Sequence, residues 1–412
     1  MKAGFARRNI TPGRSMNMAG FDRRKDPSQG TLDTLDVCVL ALRDDGENPF
    51  LMCVFDLLGT DSALCTHIRE AVAANLGIAA ERIWVSATHT HSAPTGHFSG
   101  NQSYDKDYVN LLTTQAVSAA AEAFSAMQQV LPTGAYTQAT GVASLRNKGR
   151  EGSQFPMPLP LVFLDNPEAN LLLTRICCHP TVLDERNLLY SRDLPGQLRD
   201  GMQANRNTLI LNGPCADLST RFTRQDSSPE ELARLGAVLT EAAKSAQPQA
   251  LTCFGTEIRT AEKVVYLSRS ASLSGQLRES ILTALQKKAA ECTDPQALRE
   301  YDSRIAVLER SAASAEKNRM IRIGAVNFGK YIFLGVPFEV DYADGLQLEQ
   351  SLSQIAGQDV HLVCYTFGYD GYLPSGAPLS AESSYEDIAS RYLPESRQQV
   401  WECAKQCVME VM

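Results

Sequence analysis

Apolar, β-branched runs alternate with stretches of helical periodicity along most of the chain. That alternation leaves few architectures open: interleaved strands and helices build an α/β core, a mixed β-sheet flanked by helices. Candidate strands run from Asp36 to Leu42, Phe50 to Phe55, Arg82 to Ser86, Leu159 to Leu164 and Asn170 to Cys177. Others span Thr208 to Leu211, Ile321 to Phe328, Tyr331 to Leu334 and Val360 to Cys364; Gly329 and Lys330, set between two apolar stretches, predict a hairpin of buried strands. Helical periodicity covers Asp61 to Asn75, Lys106 to Met127, Pro229 to Ser245 and Pro394 to Met409. One compositional break, Ser268 to Asn318, is rich in Ala, Glu, Lys, Arg and Gln and predicts a helical hairpin turning near Thr293, Asp294 and Pro295. Leu282, Leu285, Leu298, Ile305 and Leu308 recur there at helical separations, so one stripe packs, as a lid, an oligomer contact or a surface insertion. No internal repeat or linker is evident, and residues 1–412 read as a single domain with this helical excursion.

Hydrophobic residues make up 44% and charged residues 21%, an ordinary globular mixture. A net charge of −8 offers no basic footprint, which argues against nucleic acid and anionic membranes and leaves neutral or cationic small molecules as partners. Eleven cysteines without a CxxC spacing, Cys177 and Cys178 adjacent among them, suggest reduced thiols and a cytoplasmic location. Arg7, Arg8 and Pro12 break up the N-terminal apolar residues before a signal-peptide core can form, and no run reaches the length of a membrane span.

Only six histidines occur, and three of them, His89, His91 and His97, fall within Thr88-His89-Thr90-His91-Ser92-Ala93-Pro94-Thr95-Gly96-His97. The stretch follows a predicted strand, and strand ends are where α/β proteins place ligands. If the backbone is extended, residues two apart point the same way, so both rings of the HxH can face one pocket. Neutral imidazoles there suit a metal such as zinc, although exposed loop histidines are an equally plain reading. His179, in Cys177-Cys178-His179-Pro180-Thr181, repeats the strand-end placement, and Glu339, in Gly335-Val336-Pro337-Phe338-Glu339, offers a carboxylate at a Gly/Pro turn or caps a helix.

These residues resemble the neutral ceramidase family, zinc-dependent N-acylsphingosine amidohydrolases, through their N-terminal catalytic domain. Asn9-Ile10-Thr11-Pro12 with Met18-Ala19-Gly20-Phe21 is similar to the family's opening. Thr88-His89-Thr90-His91-Ser92-Ala93-Pro94 resembles its THTHSGP signature, with Ala93 for glycine. Arg146-Asn147 resembles its Asn-Arg element shifted by one, Cys178-His179-Pro180-Thr181 its second metal histidine, and Asn212 to Ser219 the segment ending in its active-site serine, though the proline expected after that serine is missing. Gly335 to Glu339 resembles its Gly-Glu element loosely, and Gly368-Tyr369-Asp370-Gly371-Tyr372-Leu373-Pro374 with Tyr385-Glu386 its tyrosine motif.

The resemblance implies Zn2+ held by His89, His179, Glu339 and Tyr372, with Tyr369 the competing tyrosine. It also implies hydrolysis of an amide (N-acyl) bond by zinc-activated water, with His91 exchanging protons, Arg146 beside the developing oxyanion and Ser219 positioning the substrate. Asp193 and Asp217 are expected partners for the outer ring nitrogens of the ligand histidines. A small-molecule N-acyl or lipid-like substrate, no nucleic acid, no stable membrane insertion and a possible homo-oligomer complete the expectation. No C-terminal immunoglobulin-like domain of the kind secreted members carry is expected. The alternatives are a zinc esterase or lactonase on the same site, and a non-catalytic metal-binding protein on the same fold.

Overall fold

The computed structural model describes residues 1–99, 101–146, 155–167, 170–204, 206–250, 257–268, 275–310 and 318–412. Asn147 and parts of the helical excursion, 269–274 and 311–317, lie outside the described residues.

Among the described residues the long strands are β1 (Lys2–Asn9), β2 (Asp36–Arg43), β3 (Pro49–Phe55), β4 (Ile83–Ala87), β5 (Leu131–Ala139) and β6 (Met157–Asp165). They continue with β7 (Asn170–Ile176), β8 (Asn207–Asn212), β9 (Arg259–Ser268), β10 (Asn318–Asn327), β11 (Tyr331–Gly335) and β12 (Asp359–Val363). The helices are α1 (Ser62–Leu76), α2 (Lys106–Ser125), α3 (Asp193–Gln203), α4 (Pro229–Ser245), α5 (Gln276–Glu291), α6 (Pro295–Arg310), α7 (Tyr342–Ala356), the short α8 (Tyr385–Ala389) and α9 (Ser396–Val411). The fold class is α/β, as the sequence pattern requires.

One topology is written three times. β1 to β3 pair antiparallel in succession, and α1 then crosses over to β4, which lies parallel to β3. β5 to β7 with α3 and β8 repeat this, as do β9 to β11 with α7 and β12. Each parallel pair needs a long crossover, and a helix supplies it. The internal repeat that the sequence does not display is therefore present in strand order, with unlike residues at equivalent places. The inner strands are buried on both faces: along β2, Val37, Val39 and Ala41 join one core cluster, while Cys38, Leu40 and Leu42 join a second. That second cluster draws residues from all three sheets, Phe50, Leu173 and Phe333 among them, so the period-2 alternation of each strand serves two cores.

The predicted hairpin between β10 and β11 forms, with Gly324 opposite Gly335. The helical excursion is α5 and α6, inserted in the β9-to-β10 connection. It makes its own small cluster from Ile281, Leu285 and Leu308 with Ile388 of α8.

Candidate metal centre

The C-terminal ends of the parallel strand pairs converge, and the chemistry-bearing residues sit on the segments that run past them. β4 leads to His89 and His91, β7 to His179, β11 to Glu339 and β12 to Tyr369 and Tyr372. Two bridges join these segments: His179 lies beside Ser219, and Glu339 beside Tyr372, where the Glu339 N–H donates to Gly371 O at 2.9 Å.

His89 Nε2 lies 3.4 Å and His179 Nε2 3.0 Å from the same oxygen, Glu339 Oε2. His91 Nε2 is 3.3 Å from His89 Nε2, and the donor atoms of His89, His91 and His179 all lie within 4.8 Å of one another. This group could hold a metal ion. The outer nitrogens support that role: His89 Nδ1 donates to Leu58 O at 2.6 Å, and His179 Nδ1 to Cys215 O at 2.7 Å and Leu218 O at 3.1 Å. A proton held on Nδ1 leaves the Nε2 lone pair free for a metal. The expected partners Asp193 and Asp217 do not fill this role. Asp193 accepts from the backbone of Val182, Leu183 and Leu194, and Asp217 from Tyr342 N, so backbone carbonyls orient the rings instead.

His89 and His91 do not converge by extended geometry. His89 has φ of 70°, in the left-handed region, and its N–H donates to Leu57 O at 2.9 Å. The kink turns its ring onto Tyr365, stacked at 4.0 Å between centroids. Gly20 faces His91 with φ of 100°, and a Cβ there would stand 2.5 Å from the ring, which explains a glycine before Phe21, itself 5.0 Å from the same ring. His97, the third histidine of the cluster, lies apart from the donor group, with Nε2 2.6 Å from Gly59 O.

Burial keeps His91 neutral well below its ordinary value, helped by His89 and His179. Burial, then Arg146, pushes His179 down to about 4. Burial works against ionising Glu339, yet His89 and His179 hold its carboxyl well below the usual range. Tyr369 donates from its hydroxyl to Glu339 Oε1 at 2.6 Å. Burial, then Glu339, raises the Tyr372 phenol well above its ordinary value. Two imidazoles and a carboxylate sharing one contact, with a phenol and a third imidazole alongside, form the nitrogen and oxygen donor set that suits a divalent ion.

Arg146 packs against His179, with Nη2 3.3 Å from Nδ1 and 3.5 Å from Nε2. Near-equal distances to both nitrogens place the guanidinium over the ring rather than in line with a lone pair. It also approaches Glu386 at 3.7 Å. Ser219 is buried, and its Oγ accepts from Arg221 N at 3.4 Å. A cavity of about 830 Å³ opens beside these groups, lined in part by His91, His179, Arg146, Ser219 and Tyr372. Residues of α6 line it too, so the excursion is a wall of the cavity rather than a detached surface insertion.

The fold and site together define a class: an α/β protein with a buried group of three histidines, able to hold a metal, at the floor of a cavity. Its fold is that of a neutral ceramidase. The solved structure of neutral ceramidase from Pseudomonas aeruginosa is similar at a TM-score of 0.78 and 16% identity, covering 99% of this chain and 74% of that one. A ceramidase complexed with C2 is similar at the same TM-score and 15% identity, with the same coverage. No protein-family model matches the sequence, and no curated protein does.

Proposed function

We propose that the protein is a zinc-dependent hydrolase that cleaves an amide (N-acyl) bond. One observation carries the proposal: the Nε2 atoms of His89 and His179 meet a single oxygen of Glu339 beside a cavity. The similar solved structures are ceramidases, and ceramide is itself an N-acyl compound. His89, His179 and Glu339 would hold the ion, with Tyr372 as the fourth ligand. Zinc bound there supplies Lewis acidity toward water and the acyl carbonyl.

The chain's own residues would do the rest. His91, neutral at pH 7, takes the proton of the attacking water and returns one to the departing nitrogen, a role worth roughly 10²- to 10⁴-fold in rate. Arg146 keeps its charge because Glu386, against the cost of burial, raises its pKa, and it faces the oxygen on which negative charge grows. Ser219 positions the substrate. No helix among the described residues is long and apolar enough to cross a membrane, and ten described cysteines are free, in keeping with a cytoplasmic setting.

The experiment is metal analysis of the purified protein followed by paired assays of N-acyl and O-acyl substrates in wild type and His89→Ala. About one zinc per chain, amide turnover, and loss of both in His89→Ala with an unchanged circular dichroism spectrum are expected. Turnover confined to esters or lactones would replace the amide assignment, and metal bound without any turnover would leave a binding protein.

A further inference from the structure

The cavity beside the histidines differs from the molecule around it. No Leu, Ile, Val or Met side chain lines it among the described residues; Phe21, Tyr372 and Tyr385 are its aromatic part. Small-molecule sites are ordinarily walled by aliphatic and aromatic groups, and an acyl chain needs them. Here six arginines take their place: Arg23, Arg146, Arg221, Arg224, Arg299 and Arg304.

Five carboxylates share the wall, Asp184, Glu185, Glu300, Glu382 and Glu386, and they offset the arginines only in part. Asp184 is held by Arg186 at 2.7 Å, Glu382 by Lys288, and Glu386 faces Arg146. Arg224 donates to Thr181 O and Val182 O, and Arg304 to Ser383 O and Ala381 O, both to carbonyls that carry no charge. Among the described residues, no acceptor takes a hydrogen bond from the side chain of Arg23, Arg221 or Arg299. Loss of water, then Arg146, lowers the Arg221 pKa, with Arg224 and Arg299 adding to the effect and only Glu300 opposing it. Arg23, Arg221 and Arg299 stay open to water, so their mutual repulsion is screened while their N–H groups remain available to an anion.

Three topologically equivalent connections bring four of these arginines together, and the segment between β8 and α4 adds Arg221 and Arg224. The segment from β1 to β2 carries Arg23, the one from β5 to β6 carries Arg146, and the one from β9 to β10 carries Arg299 and Arg304 on α6. Arg146 thus packs on His179, and the other five arginines line the same cavity as His91 and His179.

Resting on the hydrolase reading, we infer that the substrate is a hydrophilic N-acyl compound bearing an oxyanion, a carboxylate or a phosphate monoester, which Arg221 and Arg299 bind while the amide lies at the histidines. The chain's overall negative charge pointed instead to neutral or cationic ligands. Net charge averages the whole surface, whereas recognition is set by the cavity.

The test uses zinc-loaded protein and matched pairs: N-acylglycine against N-acylglycinamide, N-succinyl against N-butyryl amides of one neutral amine, and N-acyl phosphoethanolamine against N-acylethanolamine. The anionic member of at least one pair should be favoured roughly ten- to a hundredfold in kcat/KM, the range of charge-assisted hydrogen bonds, and that ratio should collapse toward one through KM in Arg221→Gln/Arg299→Gln. The pair that shows the preference tells carboxylate from phosphate and one side of the amide from the other. Separately, inorganic phosphate titrated calorimetrically should bind wild type and not the double variant. Equal or better turnover of the neutral members or of short-chain ceramide overturns the substrate class and leaves the hydrolase standing. Equal phosphate binding by both proteins, or none by either, overturns the arginine site. Absence of any amide turnover refutes the hydrolase reading and the substrate with it, and the phosphate titration then still decides whether the arginines bind anions.

Discussion

Two tyrosines three residues apart take different stations around Glu339. Tyr369 donates to Glu339 Oε1, while Tyr372 pairs backbone to backbone with Glu339 and turns its ring into the cavity beside Arg146 and Tyr385. Tyr369 thereby fixes the carboxylate that His89 and His179 share, as an outer partner of a metal ligand does. Tyr369→Phe should weaken metal binding by about 10- to 100-fold, the usual effect of losing such a partner, with a chelator competition as the measurement. If Tyr372 is the fourth ligand proposed above, Tyr372→Phe should cost more, because it would remove a donor rather than an orienter; the opposite ranking would exchange the two roles. At this scale much was legible. Strand-end histidines two apart and a third after another strand pointed to one place, and the structure brings His89, His91, His179 and Glu339 within contact of one another. The outer partners were not legible, since Leu58, Cys215 and Leu218 act through backbone carbonyls that any residue possesses. Nor was the kink at His89 readable, because a positive φ at a histidine leaves no mark on composition.

Among the elements, sequence reading found the strands with both faces buried and missed those that open each unit. β1 carries Arg7 and Arg8, β5 contains Pro132 and Gly134, and β9 is exposed along much of its length. All three lie toward a sheet edge, flanked on the outside by at most a two-residue strand, so they have no need of a continuous apolar run. α3 was hidden by Pro195, Gly196 and Gly201. The last of these is there because α4 comes so near that a Cβ would stand 2.2 Å from Thr240 Oγ1. The α5–α6 hairpin was found by composition, but its place over the cavity was not, since nothing local tells a wall from a free excursion. Its core is also separate: Leu308 is fully buried, yet only among Ile281, Leu285, Ile388 and a few half-buried neighbours. Leu308→Ala should therefore cost about 2–5 kcal/mol of local stability, the range for deleting buried leucine methyls. Limited proteolysis should show faster cleavage within 275–310, with the global unfolding midpoint almost unmoved. A parallel drop in that midpoint would mean that the hairpin and the three sheets unfold as one.

The whole molecule carries a pH dependence that lies outside the proposed donor set. His97 is fully buried, and burial lowers its pKa to about 4 despite its contact with Gly59 O. His361 is half-buried against Tyr331 and Phe333, its two ring nitrogens are closed to solvent with no hydrogen-bond partner among the described residues, and loss of water, then Arg175, holds it well below 6.5. Both are neutral when folded and become protonated near 6.5 when the chain unfolds. Below that pH the unfolded state takes up more protons, so stability falls as pH falls. The contribution is complete above pH 6.5 and is lost progressively toward pH 4, and for His97 alone a shift of that size corresponds to at most about 3 kcal/mol. Buried Asp36 and Asp193, pushed up to about 6, act with the opposite sign over the same range, so the histidine contribution is read as a difference between metal-free proteins in urea unfolding from pH 7 to 4. His361→Leu removes one such group and leaves His91, His97, His179 and the carboxylates in place, so it should lose less stability than wild type between pH 6 and 4. A pH dependence unchanged in His361→Leu would mean that His361 reaches water in the folded protein and that the packing around it is looser than its contacts show.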